Sequence, residues 1–413
     1  MIEAYKETEL GEIPIDWDFV VFSSIAELRH GYQFRNYDFT ESGIKILKIT
    51  QIKGNETIDL SSCSFISEER IDDFRRVIIE KGDILIALTG ATIGKIARFN
   101  SDELVLQNYR VGNFFPIDEN ALSKDYLFHY LRSNFFYHQI LARQTQSAQQ
   151  NIGKEEINNM MVFLPKPEEQ KAIANILTVF DNKIENLQAQ IKTLEQTAQT
   201  IFKEWFGKYQ LGDDLPDGWT FEKLETIADH IKNNIKPFNH PDKEYLHYSL
   251  PAYDDGLKPQ IEKGATIKSN KYEVVEKSFL VSKLNPFTPR IWTIFNSKNN
   301  HICSTEFQVV KPKTDDFFSL IHCFLNSSQF TAVLSQKIKG TSSSHQRVNP
   351  QDIFNVNLIV PSENDLRKFN SMIYPLVKKK DINNIQIQTL KNTRDSLLPK
   401  LMSGQIRVKD LKD

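Results

Sequence analysis

Along two long stretches of this chain, apolar residues recur at intervals of three and four. Ile184, Leu187, Ile191, Leu194, Ala198, Ile201 and Trp205 form one series, and Ile387, Leu390, Leu397 and Leu401 form the other. Alternating steps of three and four match the period of a coiled-coil seam, so each stretch predicts a long helix whose apolar stripe needs a partner. Lys380, Asn383 and Arg394 interrupt the second stripe. Such polar seam residues are compatible with helix pairing, with packing on a globular part, or with a site where another subunit docks. Elsewhere the apolar runs are short. IKILKI at 44–49, DILIAL at 83–88 and LVLQNYRVGNFF at 104–115 lie between Gly, Asn and Asp turn signals and predict strands.

The same pattern occurs twice. IPIDWDFVVFSSIAEL from Ile13 matches LPDGWTFEKLETIADH from Leu215, with Trp17 opposite Trp219, an offset of 219 − 17 = 202. QQNIGKEEINNMMVFLPKPEEQ from Gln149 matches SHQRVNPQDIFNVNLIVPSENDL from Ser344, placing Ile157 on Ile353 and Pro165 on Pro361 at an offset of 196. IKTLEQTAQTIFKEWFGK from Ile191 continues onto IQTLKNTRDSLLPKLMSG from Ile387 without a gap. A duplication of this size fixes the architecture before any motif is weighed. The expectation is an α+β chain with two β-rich globular domains in tandem pseudo-twofold repeat, separated by two long helices that form an antiparallel coiled coil. Its parts are a first domain at 1–166, a first helix at 167–210, a second domain at 211–362, a second helix at 363–404 and a C-terminal tail at 405–413. A helix from about Glu168 to Gly207 would be roughly 60 Å long at 1.5 Å per residue, so the pair would act as a ruler between two heads.

Composition narrows the class. At 413 residues, 40% hydrophobic and 25% charged, the chain reads as an ordinary two-domain globular protein. No apolar run approaches the roughly 20 residues of a bilayer span, and MIEAYKETELGE lacks the layout of a secretory signal, so a cytoplasmic location with no membrane partner is expected. Cys63, Cys303 and Cys323 are odd in number and lack zinc-ligand spacing, which makes them packing residues and leaves no metal site.

Candidate chemistry is thin. Gly90, Gly94 and Lys95 suggest a phosphate loop, but only three residues separate the glycines and Ile96 follows the lysine. Asn285, Pro286 and Phe287 lack the second proline of an amino-methyltransferase tetrad. Pro216–Asp217 and Pro241–Asp242 lack the following acidic-x-Lys of a nuclease. The nine histidines are scattered, so no catalytic residue is assigned.

A net charge of −2 requires any nucleic-acid surface to be local or shared with a partner. Carboxylates are absent from 126–154 and 317–351, and again from 84–101 and 277–305, two pairs of equivalent windows that predict one electropositive face per copy. RQTQSAQQN at 143–151 and KGTSSSHQRVN at 339–349 are rich in side chains able to bond base edges or phosphates. The candidate DNA contacts there are Arg143, Gln144, Gln146, Gln149 and Gln150, then Lys339, Thr341, Ser342, Ser343, His345, Gln346 and Arg347. Strand-to-loop positions add Tyr32, Arg35, Lys48, Gln51, Lys53, Thr89, Thr92, Lys95, Gln107, Asn108 and Arg110 in the first copy, and Tyr248, Lys283 and Arg290 in the second.

With these residues in place, the chain resembles the specificity subunits of type I restriction-modification systems. The likeness rests on the surroundings of Trp17 and Trp219, KGDILIALTGATIGK at 81–95, the QQNIGKEEI and HQRVNPQDI segments, and PKPEEQKAIANILTVFDNKIENL at 165–187. The resemblance implies two target-recognition domains reading the halves of a split double-stranded DNA site, and helices that bind two modification subunits. It further implies no cofactor on this chain, S-adenosylmethionine, ATP and Mg on the modification and restriction subunits, and sequence choice as this chain's contribution. FLVSKLNPFTPRIW in place of the glycine-rich loop, and VPSENDLRK in place of LPKPEEQKA, depart from the family wording in the second copy. A protein-interaction scaffold or a complete methyltransferase with its own target domain are the alternatives.

Overall fold

A computed structural model of the chain describes residues 4–53, 56–144, 151–338 and 346–408. It divides into two compact units, the first Met1–Ile184 with Leu390–Asp413 and the second Glu185–Thr389. The long helices run from Pro167 to Phe206 and from Glu363 to Met402, 40 residues each. Glu168 and Glu169 open the first and Glu363 and Asp365 the second, placing negative charge where unpaired N–H groups accumulate. Ser362 Oγ accepts the Asp365 N–H at 3.3 Å and caps the second helix.

The units share one topology. In the first, a four-stranded sheet orders Ala26–His30, Val111–Pro116, Ile84–Ala87 and Ile96–Arg98; in the second, Ala228–Ile231, Phe307–Pro312, Ser278–Ser282 and Ile291–Ile294 take the same order. A further sheet in each contains one parallel pairing, Val105–Gln107 on residues 45–47 and Leu246–Tyr248 on residues 301–303. Two helices follow in each, Lys124–Leu131 and Asn134–Gln144, or Phe317–Leu325 and Ser328–Ser335. A strand then returns beside an early one, Met161 pairing with Val21 of Asp18–Val21 and Asn357 with Lys223 of Thr220–Lys223. The repeat reaches single bonds: Trp17 Nε1 donates to Glu169 Oε2 at 2.9 Å, and Trp219 Nε1 to Asp365 Oδ2 at 2.9 Å.

In each unit the helix segments run antiparallel. Asp181 meets Arg394 in the first, while Gln190 meets Asn383 and Phe202 meets Phe369 in the second. The seam is broader than its sequence pattern. Ile184, Leu187, Ile387 and Leu401 are buried, whereas Ile191, Leu194, Ile201, Trp205, Leu390 and Leu397 are half-buried. Ala198, Phe202 and Phe206 go deeper in the second unit, as do Leu398 and Met402 in the first, because each helix covers its unit's core as well as its partner and needs a wider stripe.

The interrupting polar residues are used. Arg394 donates to Asp181 at 2.6 Å and to Glu56 at 3.0 Å, and Arg132 holds the same two carboxylates. Burial alone would raise the Asp181 carboxyl, but Arg132 and Arg394 hold it below its usual range. Asn383, fully buried, donates to Gln190 at 3.2 Å.

Three expectations change. The stretch 104–115 is two strands in different sheets, Val105–Gln107 and Val111–Pro116, because the turn at 108–110 carries the chain from one sheet to the other. The compact units divide within both long helices, since residues 167–184 and 390–402 cover one core and 185–206 and 363–389 the other. Residues 405–408 are no free tail: Val408 joins the first core, and Arg407 bonds Asp16 at 2.9 Å and Glu169 at 2.6 Å. Gly404, at φ +71°, turns the chain there, and a Cβ on it would lie 2.4 Å from Pro14.

Candidate nucleic-acid interface

The loops singled out by the repeat meet at one junction in each unit. In the first, Thr89 bridges to Asn151 and the Ile152 N–H donates to the Leu88 carbonyl at 3.0 Å. In the second, Leu284 bridges to Arg347 and the Val348 N–H donates to the Lys283 carbonyl at 3.0 Å. Leu88 therefore corresponds to Lys283 (283 − 88 = 195), and Gly90 at φ +71° to Asn285 at φ +52°. Asparagine is among the few other residues that accept this left-handed backbone, so the divergent second loop keeps the turn.

Around the first junction the Leu88 N–H donates to the Arg110 carbonyl at 3.0 Å, and the Tyr109 N–H to the Tyr32 carbonyl at 2.9 Å. Gly31 permits this approach, since a Cβ there would lie 2.0 Å from the Gln107 carbonyl oxygen. Thr89, Thr92, Lys95, Arg110 and Tyr32 are thereby brought together, with Arg110 and Tyr32 exposed. Lys95 has no ion-pair partner among the described residues. Arg143 donates to the Gln139 and Asn159 carbonyls, each at 3.3 Å. Arg35 is exposed, Lys48 donates to Ser64 Oγ at 2.7 Å, and Lys53 to the Thr50 carbonyl at 2.9 Å.

Three first-unit candidates are internal. Gln51 is buried, accepting the Lys48 N–H at 2.9 Å and donating to the Ser62 carbonyl at 3.0 Å. Gln107 is buried and donates to the Arg29 and Val111 carbonyls at 3.0 and 2.7 Å. Asn108, also buried, accepts the Arg110 N–H at 3.2 Å. Their buried amides bond backbone groups of the same unit, which assigns them to the fold.

In the second unit Tyr248 belongs to the core against Trp292, and burial pushes its phenol up to about 12, so it is structural as well. Arg290 is bidentate on Asp254 at 2.7 and 2.9 Å, and Arg347 on Glu306 at 3.2 Å twice. Lys283 is half-buried without an ion-pair partner among the described residues, and Gln346 is half-buried. The acid-free windows are thus less electropositive than their composition suggests. Arg98 is paired with Asp125, Arg132 with Asp181, and Lys277 with Asp315, because folding brings in carboxylates from outside each window. Gln146, Gln149, Gln150, Lys339, Thr341, Ser342, Ser343 and His345 lie outside the described residues, as does the side chain of Gln144.

One exposed residue in these loops went unassigned in the sequence. Phe287 is 60% exposed beside the second junction. Its equivalence to Thr92 (287 − 195 = 92) is legible only once the junctions are superposed.

Comparison with known proteins matches residues 14–196 to the family model described as the type I restriction modification DNA specificity domain. The chain is 26% identical to the type I restriction enzyme MjaIX specificity subunit of Methanocaldococcus jannaschii, over 98% of this chain and 97% of that one. It is 31% identical to the MjaVIII specificity subunit of the same organism over 48% of this chain and 47% of that one. In fold it is similar to the S subunit of a type I restriction-modification system from M. genitalium, with a TM-score of 0.60 at 16% identity, covering 94% and 96% of the two chains.

Proposed function

We propose that the chain, whose residues 14–196 match the type I restriction modification DNA specificity domain, is a specificity subunit that reads a bipartite double-stranded DNA target, one half-site with each unit, and has no catalysis of its own. The observation that supports this reading is the repeated junction, Leu88 with Ile152 and Lys283 with Val348, where the same backbone pairing in both units carries different side chains. Shared backbone geometry with divergent side chains is what two different half-sites require, because base edges are distinguished by side-chain hydrogen bonds and apolar contacts.

In this reading two modification subunits dock on the chain and carry S-adenosylmethionine to adenine, and restriction subunits supply ATP- and Mg-dependent translocation and cleavage. The specificity chain works in the cytoplasm and holds no cofactor. Among the described residues no single helix is long and apolar enough to cross a membrane. Mapping genomic adenine methylation with and without the gene tests the assignment. The expected result is a split motif that disappears with the gene, while the purified chain turns over no S-adenosylmethionine and cuts no DNA. Methylation that is unchanged by the deletion refutes it.

A further inference from the structure

Phe287 stands on a braced turn. The Asn285 N–H donates to the Gln346 carbonyl at 2.9 Å, and the Thr288 N–H returns to the Asn285 carbonyl at 2.9 Å. Asn285 sits at φ +52° and Pro286 is buried, so the turn is fixed on both sides while the phenyl ring remains 60% exposed. Lys283 and Arg347 lie at the same junction. The equivalent residue of the first unit is Thr92. Phenylalanine and the threonine methyl share one role at a DNA base edge, apolar contact with the 5-methyl group of thymine in the major groove.

We propose that Phe287 is a specificity-determining residue that reads a thymine methyl in the half-site of the second unit. This rests on the DNA-reading assignment above. A ring carried on a braced turn contributes contact area at reduced ordering cost, since its backbone is placed before DNA arrives.

The test uses the full chain assembled with its modification subunits, after methylation mapping has defined the target. Each thymine of the second half-site is replaced in turn by deoxyuridine, which lacks only the methyl group, and binding is measured for wild type and Phe287→Ala. One replacement should weaken wild type about fourfold, the worth of roughly one methyl removed from water. Phe287→Ala should lose a similar factor on thymine DNA and be indifferent to that replacement, while Phe287→Leu keeps the discrimination. A second half-site without thymine, no sensitivity to any replacement, or an alanine variant weakened equally on both duplexes overturns the proposal. Genomic methylation that does not depend on the chain at all would instead strike the DNA-reading assignment itself.

Discussion

Arg394 offers the sharpest test of how the helices are tied to the first unit. Its side chain is 9% exposed and bonds Asp181, Glu56 and Asp395, while the Arg132 side chain, 4% exposed, also holds Asp181 and Glu56. Replacing Arg394 with Met keeps the stem and removes the charge, leaving two partly buried carboxylates to share one arginine. Breaking a buried pair this way costs about 3–5 kcal/mol, and the remaining arginine puts the expected loss near the lower figure. For a unit of this size that corresponds to a fall in Tm of roughly 6–12 °C. Adding Asp181→Asn removes one stranded charge, so the double variant should be more stable than the sum of the single effects. Thermal and urea unfolding of the four proteins decide it. An Arg394→Met chain within about 0.5 kcal/mol of wild type, or strictly additive losses, refutes the reasoning.

At the interface, Arg347→Ala should cost the assembled enzyme about 1–3 kcal/mol of discrimination at one base position with little change in salt slope, while Glu306→Gln frees the arginine and steepens that slope; stability should change by less than about 1 kcal/mol in either, because the pair is exposed. Burial holds His129 and His322 down to about 3 and His230 to about 4, so the unfolded chain binds protons near pH 6.5 that the native chain refuses. Native stability should therefore be full above pH 6.5 and fall steadily toward pH 3, and a flat Tm across that range contradicts the buried neutral state. A fragment of residues 1–209 should pair with a second copy only weakly, because Phe202, Trp205 and Phe206 would occupy places shaped for Leu398, Leu401 and Met402. Sedimentation should show tighter pairing after Phe202→Leu, Trp205→Leu and Phe206→Met, and equal affinities refute the packing argument.

Much of the architecture was legible because it is periodic. The offset of 196 that aligns Pro165 with Pro361 also carries Glu169 onto Asp365, the two carboxylates that receive the tryptophan indoles. The three-and-four spacing located both helices. What the pattern could not show were contacts between residues far apart in the chain. Arg290 finds Asp254 and Arg347 finds Glu306 across 36 and 41 residues, so an acid-free window in sequence is not an acid-free surface in space. Gln51, Gln107 and Asn108 are polar residues beside loops, which suits base readout and backbone satisfaction equally until burial separates the two. Asn285 looked like part of a failed catalytic motif, and only its left-handed backbone shows that it stands where Gly90 does.

On the proposed DNA-reading role, the carboxylate pairing is compatible with a chain whose 51 basic residues are outnumbered by 53 acidic ones. An arginine already held in a bidentate pair gains little from an arbitrary phosphate, since one anion is exchanged for another and the carboxylate is left to water. It gains more from a base edge that meets its fork geometry, such as guanine O6 and N7, because those bonds are absent from every other sequence. Specificity is a difference of affinities, so lowering the unspecific term serves it as well as raising the specific one. Under the proposed DNA-reading role, Lys95 and Lys283, without an ion-pair partner among the described residues, would supply local attraction at each edge, while Asp254 and Glu306 would keep Arg290 and Arg347 from binding any duplex that passes.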